Sequence, residues 1–339
     1  MDKTGQAPNA ARVLLIIAAF IVVVAGMQAA KTIIVPLLLA AFISVICSPP
    51  LFWLKKRKVP TWLAFLIVMF VILFFLLLIA GLIASSVNDF SAKLPLYEAR
   101  LEELTNAALG WLERNHVDVA RLELDKIVNA TAVMKLVAML LNLLGGLLTN
   151  GLLIFLTVIF MLLEASSIPT KLQAIFRDPE ASLGRMKYFT GTVNRYIAIQ
   201  TMISLATGTC VAIFLSIMGV DYPLLWGVLA FLLNYIPNIG SIMAAVPPIL
   251  LTIIQLGLGR AVGVVIGYLV INMIIGNVIS PRLMGRGLGL STLVVFLSLI
   301  FWGWILGPMG MLLSVPLTMT VKIALESSED TRWVAILLG

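Results

Sequence analysis

Long uninterrupted runs of apolar residues are the feature that most constrains this chain. Residues 13–29, 62–84 and 196–218 contain no charged side chain, and about twenty apolar residues in a helix cross the hydrocarbon core of a bilayer. Hydrophobic residues make up 61% of the 339 residues and charged residues 12%. A soluble domain is about half apolar and a quarter charged. The sequence therefore predicts an all-α polytopic membrane protein.

The positive charge of the chain is explained by topology. The formal net charge is +7, but the basic residues lie in short loops between apolar runs, as the positive-inside rule describes. We therefore expect no nucleic-acid partner. Cys47 and Cys210 lie far apart in apolar runs, and His116 is the single histidine. This residue set predicts no metal site, no cofactor and no disulfide framework, and it supplies no catalytic triad.

The apolar runs predict about eight membrane segments. Two broken hairpins, at residues 224–258 and 290–322, accompany about six full spans, at residues 13–29, 33–54, 62–84, 136–163, 196–218 and 261–279. Residues 55–58 read Lys-Lys-Arg-Lys and form the densest basic cluster, which predicts a cytoplasmic loop. Counting spans from this loop predicts that both termini are cytoplasmic.

Composition divides the chain into six segments. Residues 88–135 are the one long polar stretch without a basic excess, which predicts an external helical subdomain. Residues 165–195 combine a basic excess with apolar residues at helical spacing, which predicts a cytoplasmic amphipathic helix. The full set of predicted segments is 1–87 (three membrane helices), 88–135, 136–164 (a fourth membrane helix), 165–195, 196–325 (a membrane block with the hairpins) and 326–339 (a cytoplasmic tail).

The two broken hairpins share a sequence pattern. Each carries a Gly/Pro break followed by a Val-Pro step, at Pro237 to Pro247 in one and at Pro308 to Pro316 in the other. Interrupted segments in corresponding positions are the usual sequence sign of a transporter binding site. The alternative is a pair of ordinary helical hairpins whose prolines only make turns. Whether the hairpins are re-entrant or spanning stays open.

Polar residues inside the apolar runs are the candidate site. A broken helix frees backbone groups that a membrane tolerates only against protein or water, and intramembrane polar residues are functional candidates by default. Interhelical packing is the alternative explanation. Arg282 and Arg286 are a possible cytoplasmic gate. The predicted substrate path consists of Gln200, Asn234, Pro237, Asn238, Gly240, Ser241, Tyr268, Asn272, Gly276 and Ser280.

Three motifs in the C-terminal third resemble the autoinducer-2 exporter family of transporters. They are Asn-Tyr-Ile-Pro-Asn-Ile-Gly-Ser at residues 234–241, Pro-Arg-Leu-Met-Gly-Arg-Gly-Leu-Gly-Leu-Ser at 281–291, and the stretch from Phe301 to Leu317. The resemblance implies export of autoinducer-2, a small polar signal, across the bacterial inner membrane. It also implies a homo-oligomer, a pentamer with one path in each protomer.

The leading hypothesis is therefore an exporter of a small polar signal that is not an enzyme. A cation/proton antiporter is the first alternative, but such a protein needs a titrating carboxylate near the membrane centre. Glu164 and Asp221 stand only at the ends of spans. Ser280 also occupies a position where some relatives carry an acid. A non-transporting membrane scaffold that regulates signalling is the second alternative.

Overall fold

The computed structural model describes residues 10–115, 150–165, 179–237, 239–284, 290–326 and 331–339. Every regular element in these ranges is a helix. A π-helical segment spans Met273–Ile279. The α-helices are α1 (Ala10–Ala29), α2 (Lys31–Lys56), α3 (Thr61–Arg114), α4 (Gly151–Ala165), α5 (Pro179–Met218), α6 (Pro223–Leu233), α7 (Gly240–Leu256), α8 (Leu258–Asn272), α9 (Ser280–Met284), α10 (Thr292–Leu306), α11 (Pro308–Glu326) and α12 (Arg332–Leu337).

The helix lengths agree with a polytopic membrane protein. Among the described residues, five helices are long and apolar enough to cross a bilayer, and five more are apolar but shorter. The four helices of the two hairpins hold 11, 17, 15 and 19 residues. At 1.5 Å per residue the first three fall short of about 30 Å of hydrocarbon, whereas the fourth, α11, is one of the five helices long enough to cross it. The predicted fold class is confirmed.

Helix α3 is longer than its apolar run. It holds 54 residues and continues through Pro95 to Arg114, so the start of the predicted external segment is an extension of the third membrane helix. Helix α5 likewise begins at Pro179 and runs without a break to Met218. It joins part of the predicted amphipathic segment to the fifth span. The rest of these segments, at residues 116–135 and 166–178, and the first part of the fourth predicted span lie outside the described residues.

The chain forms two compact units, Met1–Ile43 with Gly289–Gly339 and Ser44–Leu288. In the first, the second hairpin (α10 and α11) packs beside α1. Val24, Trp302, Ile305 and Leu306 form its buried core. Gly307, at φ 72°, makes the turn between the two helices. Such a φ is easy for glycine and costly for other residues.

The second unit is organised around α5. Helix α6 packs against it so closely that a Cβ on Gly208 would lie 2.6 Å from the carbonyl oxygen of Gly227. Helix α7 packs on α6 and α8, and α8 returns to α5. Small residues at helix crossings are the usual way for membrane helices to gain contact, since lipid removes the hydrophobic driving force between them.

Candidate functional site

The break in the first hairpin is held by side chains of α5. Residues 234–237 and Ile239 lie outside regular helix, between α6 and α7. Gln200 donates from Nε2 to the carbonyl oxygen of Asn234 at 2.7 Å, and Asn234 donates from Nδ2 to Ser204 Oγ at 3.0 Å. The carbonyl oxygen of Asn234 at the break is therefore satisfied by a side chain of a neighbouring helix, as an apolar medium requires.

A second contact extends this arrangement. Tyr235 donates from its hydroxyl to Thr201 Oγ1 at 2.7 Å, and Thr201 donates to the carbonyl oxygen of Ile197. Ser204 is 0% exposed, and Gln200 is 7% exposed. We call Gln200, Thr201, Ser204, Asn234 and Tyr235 the polar seam. Gln200, Ser204 and Tyr235 are buried, Thr201 and Asn234 are half-buried, and all five side chains are neutral amides or hydroxyls.

The remaining predicted residues of the break have different surroundings. Gly240 is buried, and a Cβ there would meet the carbonyl carbon of Leu233 at 2.7 Å. This close approach requires glycine. Pro237 and Ser241 are half-buried. Asn238 lies outside the described residues.

The predicted stripe on α8 and the π-helical segment faces more than one direction. Tyr268 is 3% exposed, and its buried hydroxyl has no hydrogen-bond partner within the described residues. Asn272 and Ser280 are half-buried, and Gly276 is exposed. A Cβ added to Gly276 would have no described atom within 4 Å. A four-residue spacing drifts by about 40° per step on an α-helix, and the π-helical segment changes that drift.

The sequence did not predict this π-helical segment. A π-helix is rare, and it is often found at functional sites. The residues Met273–Ile279 carry no proline or other breaking signal, although they contain Gly276 and Asn277. Only the backbone geometry distinguishes the segment from the α-helix before it.

Helix α8 contacts α5 through two of its glycines. A Cβ on Gly263 would lie 3.1 Å from Met218 Cε, and one on Gly267 would overlap the Phe214 ring. The residue number of the contact falls along α5 as it rises along α8, so the two helices are antiparallel.

A separate ionic cluster lies at the other end of α5. Lys93 Nζ and Asp221 Oδ2 form an ion pair at 2.9 Å, and Tyr97 donates to the same oxygen at 2.8 Å. Gln255 Oε1 accepts from the Asp221 N–H at 3.0 Å. The cluster joins α3, the α5–α6 turn and the end of α7.

The ionic cluster keeps Asp221 charged. Burial raises the pKa of Asp221, but the hydrogen bonds from Lys93 and Tyr97 outweigh burial and the net pKa lies below the usual carboxyl range. The sequence showed Asp221 only as an acid at the end of a span. Its partner is 128 residues away, and no local pattern connects the two.

The predicted gate residues are only partly described. Arg282 is exposed near the end of α9. Arg286 lies outside the described residues. No group of three or more histidine, cysteine, aspartate or glutamate side chains in the described ranges could hold a metal ion.

Broken helices, short hairpin helices and a largely buried neutral seam are features of multi-pass membrane proteins of the transporter class. The comparisons with known proteins agree with this class. A family model described as AI-2E family transporter matches residues 14–330. The chain belongs to the AI-2E family, which is a family of transporters.

Named relatives cover most of the chain. The AI-2 transport protein TqsA of Escherichia coli strain K12 is 42% identical over 83% of this chain and 82% of its own length. A putative transport protein of Haemophilus influenzae is 42% identical over 86% of each chain. The putative transport protein YhhT of Escherichia coli strain K12 is 38% identical over 86% of this chain and 84% of its own.

Proposed function

We propose that this protein exports a small, uncharged polar signal, autoinducer-2 or a close chemical relative, across the bacterial inner membrane. The observation that carries the proposal is the polar seam at the break of the first hairpin. Its amides and hydroxyls can exchange hydrogen bonds with a hydroxylated solute. The name of the TqsA relative supports autoinducer-2 as the solute.

The charges of the second unit support a neutral cargo. The sequence has no charged residue between Asp221 and Arg260, which includes the whole first hairpin, and none between Arg260 and Arg282. A path for ions or protons needs ionisable or carbonyl groups that compensate the charge. Neutral donors and acceptors suit a polyol-like molecule better.

The packing of α8 on α5 supports a path between the break and the predicted stripe. Met218 and Phe214 oppose Gly263 and Gly267. At the rise of an α-helix this antiparallel register brings the π-helical segment to the level of residues about 202–208 of α5, and Ser280 to about the level of Gln200. Both α9 and the π-helical segment pack on α5.

Gln200 lies on the face of α5 that meets both the first hairpin and α8. It lies 18 residues before Met218, which is about five helical turns, so both side chains project from the same face of α5. Met218 contacts α8, and Gln200 donates to the first hairpin. The proposed path is lined by the polar seam on one side and by Asn272, Gly276 and Ser280 on the other. The buried hydroxyl of Tyr268, on α8, has no hydrogen-bond partner among the described residues and could donate to a solute in this path.

The orientation and assembly of the protein belong to the same proposal. The basic cluster at residues 55–58 and both termini lie in the cytoplasm, and residues 88–135 lie outside. The chain assembles as a homo-oligomer, a pentamer, with one path in each protomer. Thiol labelling of a cysteine at position 100 tests the orientation, because only reagent added from outside should reach it.

Efflux of autoinducer-2 from proteoliposomes tests the function. We expect efflux down a concentration gradient without a proton or sodium gradient, because no carboxylate lines the seam. Asn272→Leu should reduce the rate tenfold or more if it removes a solute contact of about 1–3 kcal/mol. Thr157→Val is the matched control, since Thr157 bonds only within its own helix α4 and should export normally.

Two results would contradict the proposal. Efflux that disappears when ion gradients are removed would favour the antiporter alternative. Normal efflux by Asn272→Leu together with Ser280→Ala would remove these residues from the path. Absence of any solute movement with correctly folded protein would favour the scaffold.

A further inference from the structure

The turn between α2 and α3 gathers four cations and three aromatic rings. Helix α2 ends with Lys55 and Lys56 in its last turn, Arg57 and Lys58 follow, and α3 begins at Thr61. Phe52 is 55% exposed, Trp53 56% and Trp62 65%. We call residues 52–62 the basic turn.

The cations of the basic turn lie over the aromatic rings beside them. Lys55 Nζ is 5.9 Å from the centre of the Phe52 ring, and Arg57 Cζ is 5.0 Å from the Trp53 ring. Tryptophan concentrates at the level of lipid headgroups because its ring is amphipathic. The exposed rings therefore fix the height of the cations at the boundary between hydrocarbon and headgroups.

These cations are not used to hold the fold. The helix end is satisfied by the backbone, since Arg57 N donates to the carbonyl oxygens of Trp53 and Leu54, and Lys58 N donates to that of Lys55. Within the described part of the chain, the ion pairs join other residues. The side chains of residues 55–58 make no ion pair with a described carboxylate. Among the described residues, these four positive charges therefore have no counter-ion.

Lys58 occupies a backbone conformation that usually selects glycine. Its φ is 64°, in the left-handed region where a helix normally ends with glycine or asparagine. A lysine there costs folding stability, which a residue retained for its charge would explain. Backbone strain at a charged residue suggests that the charge has a function, such as binding a ligand.

We propose that the basic turn is a binding site for the headgroups of anionic phospholipids. Clusters of four or more lysine and arginine residues directly beside a membrane helix bind anionic lipid. Here the four cations are consecutive, they are ringed by interfacial aromatics, and the spans on both sides keep them at the membrane surface. The site is separate from the polar seam and independent of the transported solute.

Binding of lipids to the purified full-length protein in detergent tests this proposal, and native mass spectrometry counts the bound molecules. We expect phosphatidylglycerol to bind about tenfold or more tightly than phosphatidylcholine, and the preference to fall with added salt. The glutamine variant, with Lys55→Gln, Lys56→Gln, Arg57→Gln and Lys58→Gln, should lose the preference. A variant with Lys55→Arg, Lys56→Arg, Arg57→Lys and Lys58→Arg keeps the charge and should retain it. Equal binding of both lipids by the unmodified protein would overturn the site.

Lys58→Gly separates lipid binding from folding. Glycine removes the strain of the left-handed backbone, so the delipidated variant should unfold at a higher temperature. Its affinity for phosphatidylglycerol should nevertheless fall severalfold, because one charge is lost. A structural role for Lys58 would lower both quantities together. Unchanged phosphatidylglycerol affinity in both Lys58→Gly and the glutamine variant would contradict the proposal.

Discussion

The two broken hairpins carry similar sequence signals but solve the break differently. In both, a glycine early in the second helix presses against the end of the first: Gly240 against Leu233 and Gly310 against Trp302. In both, the prolines after the break, Pro247 and Pro316, lie inside a continuous helix. The shared glycine therefore sets how closely each pair of helices can meet.

The difference lies in the backbone between the helices. The second hairpin reverses at Gly307 alone, and its Trp302 donates to Thr318 within the same hairpin at 3.0 Å. The first hairpin is irregular at residues 234–237 and depends on Gln200 and Ser204 of α5. A self-contained turn needs no outside polar group. A break that borrows polar groups from a neighbour forms the more suitable solute site.

The largest expected effect concerns the shared glycine. Gly240→Ala and Gly310→Ala should each destabilise the protein by about 3 kcal/mol or more, because the added Cβ meets backbone that cannot move aside. Folded yield in membranes and thermal unfolding measure the effect. Gly276→Ala is the control, since no atom lies within 4 Å of its new Cβ. If only one of the two hairpins tolerated alanine, the glycine would not have the same role in both.

Gln200→Leu should affect both stability and transport. It leaves the carbonyl oxygen of Asn234 without its donor, a loss of about 1–2 kcal/mol. Efflux should fall about tenfold because the seam loses its shape. Thr252→Val is the comparison, since the buried Thr252 hydroxyl bonds only to its own helix at Pro248. Normal efflux by Gln200→Leu would contradict the proposal that the break of the first hairpin lines the path.

Thr318→Val should affect stability alone. It removes the acceptor of the buried Trp302 Nε1 in the second hairpin, at a cost of about 1 kcal/mol. Efflux per folded protomer should not change, because this hairpin supplies no seam residue. Chemical unfolding and efflux are measured on the same preparation. A transport defect as large as that of Gln200→Leu would mean that the hairpins share the function.

The smallest effect belongs to the ionic cluster, which anchors the opposite end of the first hairpin. Lys93, Tyr97 and Gln255 act on Asp221, and Asp89 and Tyr222 lie near Lys93. Since the folded pKa of Asp221 is lowered, its stabilisation is full above the ordinary carboxyl pKa of about 4 and is lost as pH falls through the lower folded value. Asp221→Asn should cost about 1 kcal/mol near neutral pH. Thermal unfolding should show the gap between the two proteins closing in acid, and a constant gap would contradict the pairing.

The sequence predicted the fold class because hydrophobic length is a local property. An apolar run can be recognised without knowledge of its neighbours in the fold. The residue types at Pro237 and Gly307 indicate by themselves that a helix breaks there. Helix ends were harder, since α3 continues through Pro95 to Arg114 and a polar surface does not end a helix by itself.

The candidate site could be predicted only as a set of residues. The sequence indicated Gln200 and Asn234 as polar groups in apolar surroundings, but their hydrogen bond joins residues 34 apart. Ser204 and Thr201 were missed because a single hydroxyl in a membrane helix normally bonds to its own backbone. The π-helical segment and the Lys93–Asp221 pair depend on packing between elements, which no spacing along the chain records.

Thiol labelling of two matched serines tests the central claim most directly. Ser204 and Ser314 are both 0% exposed, one in the polar seam and the other in the second hairpin. Each is changed to cysteine in a background with Cys47→Ala and Cys210→Ala. If the seam lines the path, a small polar thiol reagent should label Ser204→Cys, autoinducer-2 should slow that labelling, and Ser314→Cys should stay unlabelled. Equal labelling of the two positions, or labelling of Ser204→Cys that autoinducer-2 does not slow, would contradict the account.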